Sequence, residues 1–238
     1  MQNSGDASLL WNTRPTWRSC KPSPACLYPR ALVLLLTLAF SLTLTPLHAA
    51  VNVEATACSE ALAQPLVTSG KGFKARLQIL IWNIQKSGNK GWDTDLGTLG
   101  ANSDLALIQE ASIQARVETA LPQPLFRAFA AGYTTSKEAT GVLTLSSVEP
   151  SLHCNLTAWE PWLGTPKATN ITEYPIDGGS SRLLVINLHA VNFTVGLTDF
   201  NSQIKALEPL LNKHMGPLII AGDFNTWSNN RSELLHSF

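Results

Sequence analysis

The stretch Pro217-Leu-Ile-Ile-Ala-Gly-Asp-Phe-Asn225 joins a short apolar run directly to a carboxylate and an amide. Such a run is typical of a buried strand, and it predicts a strand over 217–221 that ends at Gly222. Asp223 and Asn225 then follow at its carboxyl end. Before it, residues 199–215 have apolar side chains at helical spacing and end at Gly216-Pro217, which predicts one amphipathic helix.

Further strands are predicted upstream of this helix. Apolar runs predict strands over 77–82, 104–110 and 141–146, and a hairpin of 171–176 with 182–188 around the turn-forming Asp177-Gly178-Gly179. Mixed strands and helices with polar residues at strand ends predict an α/β sandwich with one site at a sheet edge.

Polar side chains follow four of these predicted strands: Asn83, Glu110, His189, and Asp223 with Asn225. Each has an ordinary explanation alone, as a turn residue, a helix cap near Ser112 or a core histidine. Together they suit phosphoester chemistry. Mg²⁺ prefers oxygen ligands, a carboxylate can orient or deprotonate a water, and amide or imidazole groups can donate to the phosphate oxygens.

The fuller pattern resembles the endonuclease/exonuclease/phosphatase superfamily. Its signature blocks are matched in order by Trp82-Asn-Ile-Gln-Lys86, Gln109-Glu110, Asn187-Leu-His189 and Gly222-Asp-Phe-Asn225. Longer stretches around these blocks resemble its bacterial YafD-like branch, and the likeness covers residues 76–231. The resemblance implies an α/β (α+β) fold, a four-layer sandwich of two mixed β-sheets flanked by helices, and a magnesium-dependent phosphoesterase.

The resemblance also implies roles for single residues. Glu110 would be the principal ligand of Mg²⁺, or of Mn²⁺ in its place, with Asn83 beside it. His189 would contact the scissile phosphate, Asp223 would align the attacking water, and Asn225 would donate to the transition-state oxygens. Asn187 and Asn192 complete the set as expected substrate contacts.

The superfamily's final Ser-Asp-His block has no counterpart here. Thirteen residues follow Asn225, and they predict only a helix beginning at Ser232, with His236 on its surface. We therefore expect a domain that lacks the last strands, is unstable and has weak or no activity, and we expect the gene model to be incomplete.

The N-terminal residues differ in character from the rest. Residues 1–30 carry a net charge of +3 and residues 75–238 a net charge of −3, while residues 31–45 contain no charged side chain. This predicts a basic leader with a signal or anchor segment over 1–50, a linker or peripheral start over 51–75, and the domain over 76–238. The protein would be exported or anchored in the inner membrane through residues 31–50. It would be cytoplasmic if the true start lies further along the chain.

The four cysteines are Cys20, Cys26, Cys58 and Cys154, and their spacing matches no zinc pattern. An exported domain would retain only Cys58 and Cys154. They would then form a disulfide, or remain two unrelated buried thiols.

The substrate class stays open at this point between nucleic acid, a lipid head group and a small phosphodiester. The acidic domain favours the latter two over duplex DNA, because DNA-binding proteins neutralise phosphates with basic residues. We expect a monomer. We interpret Trp159, Trp162 and Trp227 as core residues, and a membrane-facing or base-stacking surface is the alternative. The alternative function is a membrane-tethered, catalytically inactive binding module of the same fold.

Overall fold

The computed structural model describes residues 54–62, 71–123 and 125–238. Eight strands lie within them: β1 Ile79–Asn83, β2 Leu105–Ser112, β3 Phe126–Thr134, β4 Ala139–Ser146, β5 Leu152–Trp159, β6 Pro166–Pro175, β7 Arg182–His189 and β8 Leu218–Asp223. The α-helices there are α1 Glu54–Leu62, α2 Trp92–Leu99, α3 Thr198–Lys205, α4 Glu208–Leu211 and α5 Asn229–Ser237. Short 3₁₀ turns cover Gln85–Ser87 and Val117–Ala120.

The strands form two mixed sheets. The first has the order β1-β2-β4-β3, and the second has the order β5-β6-β7-β8. In each sheet one pair is parallel, β1 with β2 and β7 with β8, and the other pairs are antiparallel. The parallel pairs bring the carboxyl ends of β1 and β2, and those of β7 and β8, to the same edge of their sheets.

Alternation along the strands produces four layers. Leu107 of β2 and Val185 of β7 belong to a core between the sheets, whereas the neighbouring Ile108 packs with Leu96 of α2 on the outer face. Ile186 turns outward in the same way, toward α1 and α4. Since successive strand residues point to opposite faces, each sheet is apolar on both sides. The predicted four-layer sandwich of two mixed sheets is confirmed.

The single helix predicted over 199–215 is two helices, α3 and α4. Pro209 stands in the first turn of α4. Proline has no backbone N–H and its ring clashes with the carbonyl of the preceding turn, so one continuous helix cannot pass through this position.

The segment 51–75 was predicted to be a linker or a peripheral start of the domain. α1 lies within it, and Cys58 and Leu62 of this helix are buried against the second sheet. Phe73 is buried as well and forms a bridge with Ile176. Because this segment is rich in small residues, its composition did not indicate that it packs against the second sheet. The described residues belong to one unit, 46–238, and the predicted leader and anchor over 1–50 lie outside them.

Among the residues that the structure describes, no helix has the length and apolar character needed to cross a membrane.

Cys58 of α1 and Cys154 of β5 form a disulfide, with their Cα atoms 5.9 Å apart and a sequence separation of 96. The bond ties α1 to the edge strand of the second sheet. The sequence left open whether these two cysteines form a disulfide or remain separate thiols, and in the structure they form the disulfide.

We expect loss of this disulfide to lower the free energy of unfolding by about 3 kcal/mol, because a long closed loop restricts the unfolded chain. The Cys58→Ser/Cys154→Ser variant should therefore unfold at a lower urea concentration than the oxidised parent. Cys20→Ser/Cys26→Ser serves as the control. Equal midpoints for the parent and the Cys58/Cys154 variant would contradict the prediction.

Candidate active site

The four predicted strand ends meet at one edge of the sandwich. His189 and Asp223 are paired positions of β7 and β8, and Asn83 closes β1 of the other sheet. The Asn83 amide nitrogen donates to Asp223 Oδ2 over 2.8 Å. His189 Nε2 lies 3.8 Å from both Asp223 Oδ2 and Glu110 Oε1. Side chains from four strands and two sheets therefore form one cluster.

Glu110 reaches this cluster because β2 is irregular at that point. The pairing of β2 with β4 shifts register between Ile108 and Ala111, and Glu110 has a φ of 53°. A bulge of this kind re-aims a side chain and is frequent beside active sites, and a positive φ is uncommon for a residue with a side chain. β2 then continues to Ser112, so Glu110 caps no helix there.

Asp223 is oriented by its own strand end. Gly222 has a φ of 142°, and a Cβ at this position would collide with the Leu188 carbonyl oxygen, so only glycine permits the close approach of β8 to β7. The carboxylate accepts from Asn83 through Oδ2 and from the Asn225 backbone N–H, 3.0 Å away, through Oδ1. It remains 29% exposed and is thus fixed in direction but open to solvent.

Asn225 adopts a φ of 50° and donates from Nδ2 to the Ala190 carbonyl oxygen over 2.9 Å. An amide NH₂ has two hydrogens. One of them therefore holds the side chain in place, and the other is left for a ligand.

His189 is 6% exposed, and its Nε2 lies 3.3 Å from Lys167 Nζ. Burial and the Lys167 ammonium lower the pKa of His189 to about 4, against the opposing pull of the Asp223, Glu110 and Glu160 carboxylates. Since an ammonium group can only donate, the contact makes Nε2 the acceptor and places the imidazole proton on Nδ1.

Sequence reasoning missed two charged residues of this site. Lys167 begins β6 beside His189, and Glu160 is a buried carboxylate 3.8 Å from Lys167 Nζ. Glu160 Oε1 also accepts the backbone N–H of Asn192 over 2.7 Å. Neither residue belongs to a recognisable block. Glu160 could have been recognised in the sequence as a single acidic residue that directly follows the apolar end of a strand.

The two predicted substrate contacts are both engaged within the protein. Asn187 is fully buried; it donates to Leu143 O and accepts from Gln109 Nε2, so it joins the two sheets. No part of the side chain reaches solvent in this structure, and its predicted contact with substrate stays a prediction. Asn192 is half-buried and its Oδ1 accepts from Trp227 Nε1 over 2.9 Å, and its substrate contact stays a prediction.

A cleft of about 500 Å³ opens beside the cluster. Glu110, His189, Lys167 and Lys86 line it, together with apolar residues that include Phe193. Two cations and one partly exposed carboxylate in a concave site suit a phosphate ester that is bound with a divalent cation.

The oxygen donors at this site fit a hard cation to a limited extent. Among the described residues no three His, Cys, Asp or Glu side chains are grouped as a metal site, but Mg²⁺ needs only one or two carboxylates when waters and substrate oxygens complete its shell. Glu110 can supply one. Asn83 Oδ1 accepts from the Gln85 N–H over 3.0 Å, so its predicted role as a metal ligand stays a prediction.

The layered fold and the cluster of Glu110, His189, Asp223 and Asn225 define a protein of the phosphoesterase-like sandwich class. The profile of the Endonuclease/Exonuclease/phosphatase family matches residues 80–232. The chain belongs to this family.

Similar sequences occur in bacteria. A UPF0294 protein of Vibrio vulnificus (strain YJ016) is 39% identical over 166 residues, which cover 66% of this chain and 56% of that protein. A UPF0294 protein of Yersinia pseudotuberculosis is 36% identical over 180 residues, which cover 74% of this chain and 66% of that protein. The chain spans between about half and two thirds of the length of these relatives.

Solved structures show the same fold at low sequence identity. An endonuclease/exonuclease/phosphatase family protein from Leptotrichia buccalis superposes with a TM-score of 0.52 at 12% identity, covering 68% of this chain and 72% of that one. Truncated Caenorhabditis elegans TDP2 superposes with a TM-score of 0.50 at 14% identity, and the match covers 65% of this chain and 64% of that one.

Proposed function

We propose that this protein is a metal-dependent phosphodiesterase whose centre is Glu110, His189, Asp223 and Asn225. The observation that carries the proposal is the Asn83–Asp223 hydrogen bond across the two sheets, because it orients a solvent-accessible carboxylate beside His189 and Glu110. Membership of the family, whose description includes nucleases and phosphatases, supports a phosphate ester as the substrate.

The protein's own groups divide the hydrolysis between them. Asp223, held by Asn83 and Asn225, orients a water molecule and accepts its proton as the water oxygen bonds to phosphorus. The spare Asn225 amide hydrogen and the Lys167 ammonium face the charge that develops on the phosphate oxygens. The ester bond between phosphorus and the leaving oxygen breaks, that oxygen takes a proton from solvent, and Asp223 returns the proton of the attacking water to solvent.

Glu110 has a partly exposed carboxylate at the cleft, and it is the residue that would hold Mg²⁺ or Mn²⁺. A divalent cation bound there supplies charge stabilisation to the phosphate. Asn83 would act mainly through Asp223.

The test is hydrolysis of bis-p-nitrophenyl phosphate by the full chain in detergent, with Mg²⁺ and with chelator. We expect metal-dependent turnover and a loss of about 10²–10⁴-fold in kcat for Asp223→Asn, since this substitution keeps the shape and removes the base. Asp93→Asn, an exposed residue of α2, is the matched control.

Equal rates for Asp223→Asn and Asp93→Asn would exclude the proposed base. A folded parent with no turnover would favour the inactive binding module instead. The predicted membrane attachment through residues 31–50, the exported location and the monomeric state remain proposals of the same kind.

A further inference from the structure

An apolar surface lies beside the cleft, and we call Trp162, Phe193, Val195 and Trp227 the apolar rim. These side chains are 73%, 59%, 74% and 65% exposed, and together with Asn192 and Thr194 they line one shallow groove. The interpretation of Trp162 and Trp227 as core residues is wrong, as it is for Trp159, which is 46% exposed. Single exposed apolar side chains are ordinary, whereas a contiguous group of them marks an interaction site.

The rim is continuous with the cleft. Phe193 lines both the groove and the cleft that contains Glu110, His189 and Lys167. Leu163, next to Trp162 in sequence, also lines the cleft and is 56% exposed. A molecule whose phosphate reaches His189 would therefore place its neighbouring groups against apolar side chains.

The rim is held in place from beneath. The buried Arg231 donates to Asn192 O and Thr194 Oγ1, and its guanidinium lies 4.9 Å from the centre of the Trp227 ring. Trp227 in turn donates to Asn192 Oδ1. Glu160 accepts the backbone N–H groups of Asn192 and Phe193. These hydrogen bonds fix the loop that carries Phe193 and Val195, and so they fix the exposed position of these side chains.

The charge around the rim indicates its occupant. None of the six residues lining the groove is charged, and residues 75–238 carry a net charge of −3. A long polyanion would require basic side chains along its path. Tryptophan and phenylalanine mixed with valine and leucine suit the interfacial zone of a lipid bilayer.

We propose that the apolar rim seats this protein on a phospholipid surface, so that the cleft receives the phosphodiester of a phospholipid. The binding half of this inference is independent of catalysis, and the substrate half rests on the proposed function. Binding and turnover are therefore measured separately.

Binding is tested with the full chain on phosphatidylcholine vesicles whose acyl chains are brominated, by tryptophan fluorescence. Bromine quenches only those indole rings that enter the bilayer. We expect the fluorescence intensity lost on quenching to fall in Trp162→Phe and to stay unchanged in Trp92→Phe, a half-buried residue of α2. An unchanged or larger intensity loss in Trp162→Phe would overturn the proposal, as would stronger quenching by single-stranded DNA than by vesicles.

Turnover is tested by comparing hydrolysis of phosphatidylcholine vesicles with that of bis-p-nitrophenyl phosphate. We expect Trp162→Ser/Val195→Ser to lower the rate on phosphatidylcholine vesicles about tenfold, because less apolar area is buried in the bilayer. The rate on bis-p-nitrophenyl phosphate should stay unchanged. Met215→Ser, at an exposed site outside the rim, is the control. Equal losses on both substrates, or no loss on vesicles, would refute the lipid assignment. Absence of turnover on both substrates would count against the proposed function. The quenching experiment alone would then test whether the rim binds a lipid surface.

Discussion

Glu110→Gln should reduce metal-dependent phosphodiester hydrolysis by on the order of 10³-fold, because the stabilisation that a bound cation gives to the phosphate is worth several kcal/mol. Glu110 is the carboxylate that the β2 bulge turns into the cleft, and its Oε1 lies 3.8 Å from His189 Nε2, too far for a hydrogen bond. Glutamine keeps the length of the side chain and removes the charge that a hard cation needs.

The measurement is the hydrolysis rate of bis-p-nitrophenyl phosphate at several Mg²⁺ concentrations, with Mn²⁺ affinity followed by electron paramagnetic resonance. Both rate and Mn²⁺ affinity should fall together in Glu110→Gln. Glu138→Gln, a half-buried carboxylate in the β3–β4 turn, should leave both unchanged. If Glu110→Gln bound Mn²⁺ as tightly as the parent, the cation would be held elsewhere and the assignment of Glu110 would be wrong.

The sequence predicted the site edge and six of the eight strands that the structure describes, because both depend on local pattern, and it did not predict β3 and β5. Apolar runs ending in a polar residue are visible in one dimension, so Glu110, His189 and Asp223 were found at strand ends. Parallel pairing then placed them together, as the register of His189 with Asp223 shows. The disulfide was foreseen only as one of two alternatives, since spacing alone cannot show that Cys58 lies on a helix packed over β5.

What the sequence could not predict depends on contacts across the fold. Asn187 has the same position in its strand as a site residue would, but its side chain faces Gln109 of the other sheet and is enclosed there. Lys167 gave no signal because a lysine at the start of a strand is common on surfaces. The sequence left Trp162 and Trp227 open between core and surface, and the core was preferred because tryptophan is usually largely buried.

Arg231→Met should lower the free energy of unfolding by about 3–5 kcal/mol, the cost of removing one member of a buried, hydrogen-bonded charged group. The guanidinium is 1% exposed and donates to the carbonyl oxygens of Val191, Asn192 and Asn225. It also lies 4.7 Å from the centre of the Phe200 ring. Methionine fills part of the volume and leaves these carbonyl groups without donors, which is the expensive part of the change.

The prediction is checked by urea unfolding of the parent, Arg231→Met and Arg231→Lys, with Arg76→Met at an exposed site as the control. Lysine keeps the charge but cannot reach several acceptors at once, so we expect an intermediate loss of stability. Because Arg231 contacts both the Asn225 segment and the loop that carries Phe193, the folded Arg231→Lys variant should lose activity on bis-p-nitrophenyl phosphate and quenching by brominated vesicles together. An unfolding midpoint for Arg231→Met equal to that of Arg76→Met would show that the guanidinium network does not stabilise the fold. The rim and the active-site edge would then have to be held by β7 and β8 alone.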